Sequence, residues 1–153
     1  MITEDCRQVV KRAANGSVEA ENFLLLLIDL FHVWDDLIDK DKPVYDDAIS
    51  RAFEAALIWL PRNAFYMRNF ADLNVLIANS IRNWQLSTAI ERQKITSLFP
   101  ASFILRDAYT DIVAQVAYIT GSRQLAESVG IEVRKHAHEE GFAQYVVGLG
   151  LEN

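Results

Sequence analysis

The stretch from residue 17 to residue 41, SVEAENFLLLLIDLFHVWDDLIDKD, constrains the fold more than any other part of the chain. At 100° per residue its apolar side chains cover roughly two thirds of a helix circumference, far more than a solvent-facing helix shows. The remaining third is polar and contains Glu21, Asp29, His32, Asp35, Asp36 and Asp39. Charge beside a buried helix is costly unless it is paired, metal-bound or open to water. We therefore expect a central helix over 17–41 whose acids have a partner.

The composition indicates one all-α domain over residues 1–153. The chain has six glycines, three prolines and no run of alternating apolar and polar residues typical of a strand. Its net charge of −6 argues against a nucleic-acid-binding face. The longest apolar run, from Phe23 to Ile28, is too short to cross a membrane. Because Cys6 is the single cysteine and the N-terminus lacks the pattern of an export signal, we expect a soluble cytoplasmic protein.

Capping residues and helix breakers divide the chain into about six helices, which we expect to form one antiparallel bundle. Thr3 and Ser17 are predicted N-caps, and Pro61 and Pro100 are predicted breaks. The predicted helices cover 3–14, 17–41, 45–60, 71–95, 103–120 and 131–147, with a short helix or turn at 61–70 and a frayed tail at 147–153. The segments 17–41 and 102–120 form the predicted central pair, which buries Trp34, Phe31, Leu27, Ile112 and Val116 together.

The sequence Asp35-Asp36-Leu37-Ile38-Asp39 places Asp35 and Asp39 one helical turn apart, so that both can reach one ion. Hard oxygen ligands of this kind suit Mg²⁺, which commonly bridges carboxylates to substrate phosphates. This DDxxD stretch resembles the first aspartate-rich motif of the all-α isoprenoid diphosphate synthases. The stretch FILRDAYTD, which ends at Asp111, resembles the second motif of the squalene and phytoene synthase branch.

The resemblance implies that the two motifs share Mg²⁺ or Mn²⁺ over a diphosphate or another phosphorylated small molecule. The implied metal ligands are Asp35, Asp36, Asp39, Asp107 and Asp111. Arg106 or Arg134 is expected to meet the phosphate oxygens. The candidate ligand-binding residues are His32, Asn79, Asn83, Arg106, Arg134 and His138. We expect His138 and Arg134 to face inward, toward the acids of the 17–41 helix.

Other interpretations of the same residues stay open. Asp29, His32 and Asp36 form an alternative metal set with His138, although a di-iron bundle needs Glu-x-x-His on two helices. Small helical nucleotide pyrophosphatases also hold Mg²⁺ on helical acids, but their closely spaced Glu-rich motif is absent here. In a purely structural interpretation the histidines lie in the core or a dimer interface and the acids are solvated or ion-paired. Asp107 then pairs with one of three arginines: Arg106, Arg82 or Arg134.

The chain as a whole, with its HVWDDLIDKDKP segment and short Trp-rich helical body, is also similar to small proteins of tailed bacteriophages and prophages. That resemblance implies a non-enzymatic accessory protein that acts through protein–protein contacts. Exposed aromatic residues would support a homodimer. Neither nucleic acid nor a membrane is an expected partner.

Overall fold

The chain folds into helices joined by short turns, in a computed structural model that describes residues 2–40, 42–138 and 140–150. Every regular element in these ranges is helical, which confirms the all-α prediction. The α-helices are α1 (Glu4–Ala14), α2 (Val18–Asp39), α3 (Asp46–Glu54), α4 (Leu60–Arg62), α5 (Ala64–Arg68), α6 (Phe70–Arg92), α7 (Phe99–Leu105), α8 (Thr110–Thr120), α9 (Arg123–Arg134) and α10 (Phe142–Gly148). A π-helical turn, Ala55–Trp59, joins α3 to α4, and a 3₁₀ turn, Thr96–Leu98, precedes α7.

The first two helices form a hairpin whose ends are set by local side chains. The hydroxyl of Thr3 accepts a hydrogen bond from the backbone N–H of Cys6 at 3.2 Å. The hydroxyl of Ser17 accepts one from the backbone N–H of Ala20, also at 3.2 Å, so both predicted N-caps are confirmed. The second helix ends where Lys40 adopts a left-handed backbone with φ 58°. Between these caps α2 is one uninterrupted helix of 22 residues.

The main core is built from α1, α2, α8 and α9, with contributions from α5 and α6. Leu27 and Phe31 of α2 are 3% and 7% exposed, and Ile112 and Val116 of α8 are fully buried in the same cluster. Trp34 packs against this cluster and is partly buried. The predicted joint burial is therefore confirmed for Leu27, Phe31, Ile112 and Val116, whereas Trp34 is buried only in part. The helix α8 packs chiefly on α1 and α9 and only slightly on α2, so the prediction that 17–41 and 102–120 form the central pair is wrong, although both helices contribute to the same core cluster.

Two of the three prolines, Pro61 and Pro100, lie at helix starts. Pro61 lies in the first turn of α4, and the π turn before it continues the helix predicted for 45–60. Pro100 lies in the first turn of α7, where its missing N–H costs nothing. The predicted helix 71–95 corresponds to α6. No helix in the described ranges combines the length and apolarity that crossing a membrane requires.

The predicted continuous helix over 103–120 is wrong, because residues 106–109 form a turn between α7 and α8. In this turn the N–H of Ala108 donates to the carbonyl of Arg106 at 2.7 Å, which is not a helical bond. The side chains of Arg106 and Asp107, which are adjacent in sequence, form ion pairs with different parts of the bundle. The interruption of the helix separates these two charged groups.

The C-terminal helices also differ from the prediction. The helix α9 continues through Gly130 and ends at Arg134, and α10 begins at Phe142. A Cβ atom at Gly130 would lie 3.6 Å from the Cβ of Ala114, so α8 and α9 pack closely there. The predicted helix over 131–147 is therefore wrong. Of the tail predicted to fray, the first two residues belong to α10, and 151–153 lie outside the described residues.

Candidate functional site

A cavity of about 650 Å³ lies between the C-terminal half of α2, the turn after α7 and the segment that leads into α10. Six of the residues predicted from sequence line it: His32, Asp35, Asp36, Asp39, Arg106 and His138. Much of the remaining wall is aromatic and comes from Phe31, Trp34, Trp84, Phe103, Tyr109 and Tyr145. We call it the Arg106 cavity. The α2 acids thus face a concave surface rather than open solvent.

The other predicted residues lie outside the Arg106 cavity. Asn79 and Asn83 lie on α6, where the first is exposed and the second half-buried, and neither lines the cavity wall. Asp107, Asp111 and Arg134 form a separate ion-paired group between the start of α8 and the end of α9. The structure therefore brings the first aspartate motif to the cavity wall but not the second.

Arg106 is the central contact of the acidic wall. Its Nη1 donates to Oε2 of Glu91 at 2.9 Å, and its Nη2 donates to Oδ1 of Asp35 at 3.3 Å and to Oδ2 of Asp39. The guanidinium carbon lies 5.1 Å from the ring centroid of Trp84, a cation–π distance. The indole Nε1 of Trp84 donates to Oδ1 of Asp35 at 2.6 Å. One side chain from the turn after α7 therefore holds acids from α2 and α6.

The electrostatics of this group favour a charged guanidinium. Burial by itself lowers the pKa of Arg106, but the charges of Glu91, Asp39 and Asp35 together outweigh it and raise the pKa above its ordinary value. The Arg106 side chain is 16% exposed, whereas those of Asp35 and Asp39 are 38% and 29% exposed. Arg106 is thus a fixed, largely buried cation, and these two carboxylates remain accessible.

The second aspartate motif forms an ion-paired cluster with the end of α9. Arg134 donates from Nη1 to Oδ2 of Asp107 and from Nη2 to Oδ1 of Asp111, both at 2.8 Å. This confirms the pairing of Asp107 with Arg134 that the structural interpretation allowed. The prediction that Arg134 turns toward the α2 acids is wrong, because the side chain pairs at its own end of the bundle and is 42% exposed.

His138 connects this cluster to the Arg106 cavity. Its Nε2 lies against Oδ1 of Asp107, whose side chain is only 3% exposed. The imidazole stacks on the ring of Phe103, with centroids 3.8 Å apart and planes at 15°. The prediction that His138 faces inward rather than solvent is confirmed, since the side chain is 18% exposed and lines the same cavity as the α2 acids, but its ionic contact is with Asp107 rather than with an α2 acid.

A buried polar network, which the sequence did not indicate, joins α10 to the cavity. The phenol of Tyr145 donates to Oε1 of Glu91 at 2.6 Å and lies 2.9 Å from the hydroxyl of Ser102. The hydroxyls of Ser102 and Ser87 are 2.8 Å apart. Burial and the hydrogen bond to Glu91 raise the pKa of Tyr145 to about 12. The two serines in apolar stretches of α6 and α7 are a sequence signal that could have pointed to this network.

No protein-family model, curated protein or solved structure matches this chain. The resemblances to isoprenoid diphosphate synthases and to phage proteins therefore stay predictions. Function has to be inferred from the chemistry of the Arg106 cavity.

Arg106 pairs with Asp35 and Asp39 of the first motif, and Arg134 pairs with Asp107 and Asp111 of the second, so the two motifs do not meet. Within the described residues, no group of three or more His, Cys, Asp or Glu side chains is arranged to hold a metal ion. Binding of Mg²⁺ or Mn²⁺ stays a prediction, and only the α2 acids of the predicted ligand set face the cavity. Cys6 also lines the cavity, but burial raises the pKa of its thiol, which makes it a weak nucleophile.

Proposed function

We propose that this chain binds a small phosphorylated ligand together with a divalent cation in the Arg106 cavity. The observation that carries the proposal is the charge of the cavity wall. Its described residues include five acids and two permanently basic groups, namely Asp35, Asp36, Asp39, Glu91 and Glu140 against Lys42 and Arg106. An excess of carboxylates favours a bound cation. The guanidinium of Arg106 beside them favours an anion such as phosphate.

The dimensions of the cavity suit a small organic molecule. Its volume of about 650 Å³ falls within the range of ligand pockets, roughly 300–1,000 Å³. The rings of Trp34 and Phe103 offer apolar contact to the organic part of a ligand. The positively charged guanidinium of Arg106 would orient its phosphate. A site with this combination is typical of small-molecule binding rather than of a structural cleft.

Asp36 is the leading candidate for a cation ligand. Its carboxylate lines the cavity and forms no ion pair or side-chain hydrogen bond with another described residue. Mg²⁺ is usually bound through one or two carboxylates plus substrate phosphates, so an all-protein cage of three ligands is not required. Asp35 and Asp39 are shared with Arg106, and a cation bound to them competes with the guanidinium. A phosphate would give Arg106 new oxygen partners, so cation and phosphate should bind cooperatively.

Calorimetric titration with inorganic pyrophosphate, in Mg²⁺ and separately in EDTA, tests this proposal. We expect binding in Mg²⁺ that is at least about tenfold tighter than in EDTA. Asp36→Asn should remove the Mg²⁺-dependent gain. Asp29→Asn is the matched control, because Asp29 lies on the same helix but is exposed and outside the cavity wall. No pyrophosphate binding in either condition would contradict the proposal.

A second candidate function, an accessory role through protein–protein contacts, is favoured by one surface. Phe53, Leu57 and Trp59 of α3 and the π turn are 64%, 71% and 50% exposed. Phe53 and Leu57 lie about one turn apart, and neighbouring exposed apolar side chains of this kind are typical of an interaction site. If a second copy covers them, sedimentation should show concentration-dependent dimerisation that Leu57→Glu abolishes. A wild-type protein that stays monomeric at every concentration would contradict self-association.

A further inference from the structure

The imidazole of His138 is held from two sides at the wall of the Arg106 cavity. Phe103 stacks on its face, and Oδ1 of Asp107 lies against its Nε2. We propose that His138, oriented by Asp107, is the general base for hydrolysis of a phosphoanhydride bound in this cavity. The inference rests on the proposed function, since it requires that a phosphorylated ligand enters the cavity.

Asp107 is itself fixed in position. Arg134 donates to its Oδ2 at 2.8 Å, which leaves Oδ1 for the imidazole. Among the described residues, neither Oδ1 of Asp107 nor Nε2 of His138 has a hydrogen-bond partner apart from this mutual contact. A buried carboxylate against one ring nitrogen fixes the orientation of an imidazole. Asp107 is therefore a positioning residue, and Nδ1 is the nitrogen left to exchange a proton in the cavity.

In the proposed reaction a water molecule attacks one phosphorus atom of the anhydride while Nδ1 of His138 accepts one of its protons. A bond forms between the water oxygen and phosphorus, and the bond from phosphorus to the bridging oxygen breaks. The bridging oxygen leaves with the bonding electron pair as part of the second phosphate, which then receives the proton from His138. Pyrophosphate and water thus give two phosphate ions, and no further reactant is consumed.

An anhydride suits this cavity better than an alkyl phosphate ester. An alkoxide leaving group needs a proton donor, whereas phosphate departs as a stable anion. The phenol of Tyr145 is a poor donor, because burial and its hydrogen bond to Glu91 raise its pKa to about 12. Arg106, which Glu91 holds at the cavity wall, supplies a fixed positive charge that would stabilise the departing phosphate.

Phosphate release from inorganic pyrophosphate, measured with the full chain in Mg²⁺, tests the inference. His138→Ala should lower the rate roughly 100-fold or more, while pyrophosphate affinity stays within about threefold of wild type. Added imidazole should restore part of the rate of His138→Ala, which a merely structural role would not allow. Asp107→Asn should lose rate as well, and imidazole should not restore it because the native imidazole is still present. Melting temperatures check that both variants fold.

The outcomes separate this inference from the proposed function. If the wild-type protein binds pyrophosphate but releases no phosphate, or if His138→Ala keeps the wild-type rate, the general-base role is overturned and the binding function stands. If the wild-type protein does not bind pyrophosphate, both are overturned. Should His138→Ala fail to fold, His138→Gln replaces it, since an amide can still pack on Phe103 and bond Asp107. Loss of rate with intact binding in that variant supports the inference, and an unchanged rate contradicts it.

Discussion

Nη1 of Arg106 donates a hydrogen bond to Oε2 of Glu91 at 2.9 Å, and the two side chains are 16% and 14% exposed. The same carboxylate accepts a hydrogen bond from the phenol of Tyr145 at 2.6 Å. Glu91 lies at the end of α6, so it joins the turn after α7 to α10. The attachment of α10 is therefore linked to the charge at the centre of the cavity wall.

Replacing Arg106 should destabilise the fold strongly. Arg106→Gln leaves Glu91 buried without its cation, and removing one partner of a buried ion pair costs roughly 3–5 kcal/mol. Urea denaturation gives the free energy of unfolding. The double variant Arg106→Gln/Glu91→Gln should be more stable than Arg106→Gln alone, because both charges are then absent. If Arg106→Gln lowers the free energy of unfolding by less than about 1 kcal/mol, the Arg106–Glu91 pair contributes no more than an ordinary surface ion pair, which would contradict its structural role.

The shared core of α2 and α8 should respond to truncation on either helix. Leu27→Ala and Ile112→Ala each remove a side chain that is at most 3% exposed, and each should cost roughly 2–5 kcal/mol. Val75→Ala is the control, because Val75 is 65% exposed and its truncation should change stability by less than about 0.5 kcal/mol. If both core variants lose no more than the control in denaturant melts, the two helices do not share a core.

The phenol of Tyr145 should make the fold sensitive to alkali. Burial and the hydrogen bond to Glu91 raise its pKa from the ordinary value of about 10 to about 12. Because the folded-state pKa is the higher one, the contribution to stability is complete below about pH 10 and is lost as the pH rises through about 12. Tyr145→Phe lacks this titration, so its stability should fall less steeply over that range. Parallel losses of stability for the two proteins would contradict this contribution.

Local chemistry was sufficient to predict most helix positions. The caps at Thr3 and Ser17 depend only on neighbours within one turn, and both are visible in the sequence. The turn at 106–109 could not be predicted, because 103–120 has a continuous apolar pattern. The ion pairs formed from that turn come from α2, α6 and α9, which are distant in sequence.

The site was predictable only where its charges lie on an otherwise apolar helix. That contrast singled out Asp35, Asp36 and Asp39, and all three line the cavity wall. The position of His138 depends on residues 135–138, which follow the end of α9 and which the sequence pattern assigned to a helix. Once that segment leaves helical geometry, His138 meets Asp107 beside the cavity instead of facing the α2 acids directly.

Thermal melts test the coupled binding of cation and phosphate most directly. They compare four conditions: EDTA alone, Mg²⁺ or Mn²⁺ alone, pyrophosphate with EDTA, and metal with pyrophosphate. We predict that metal and pyrophosphate together stabilise the fold by more than the sum of the two separate effects, approaching about 2.7 kcal/mol when the free ligand is a hundred times its Kd. Asp36→Asn should lose the additional stabilisation. Its metal-free form should be at least as stable as wild type, because one repelling carboxylate is gone. Asp29→Asn should retain the additional stabilisation. An unchanged melting temperature in millimolar metal and pyrophosphate together would contradict a cation-assisted phosphate site in the Arg106 cavity.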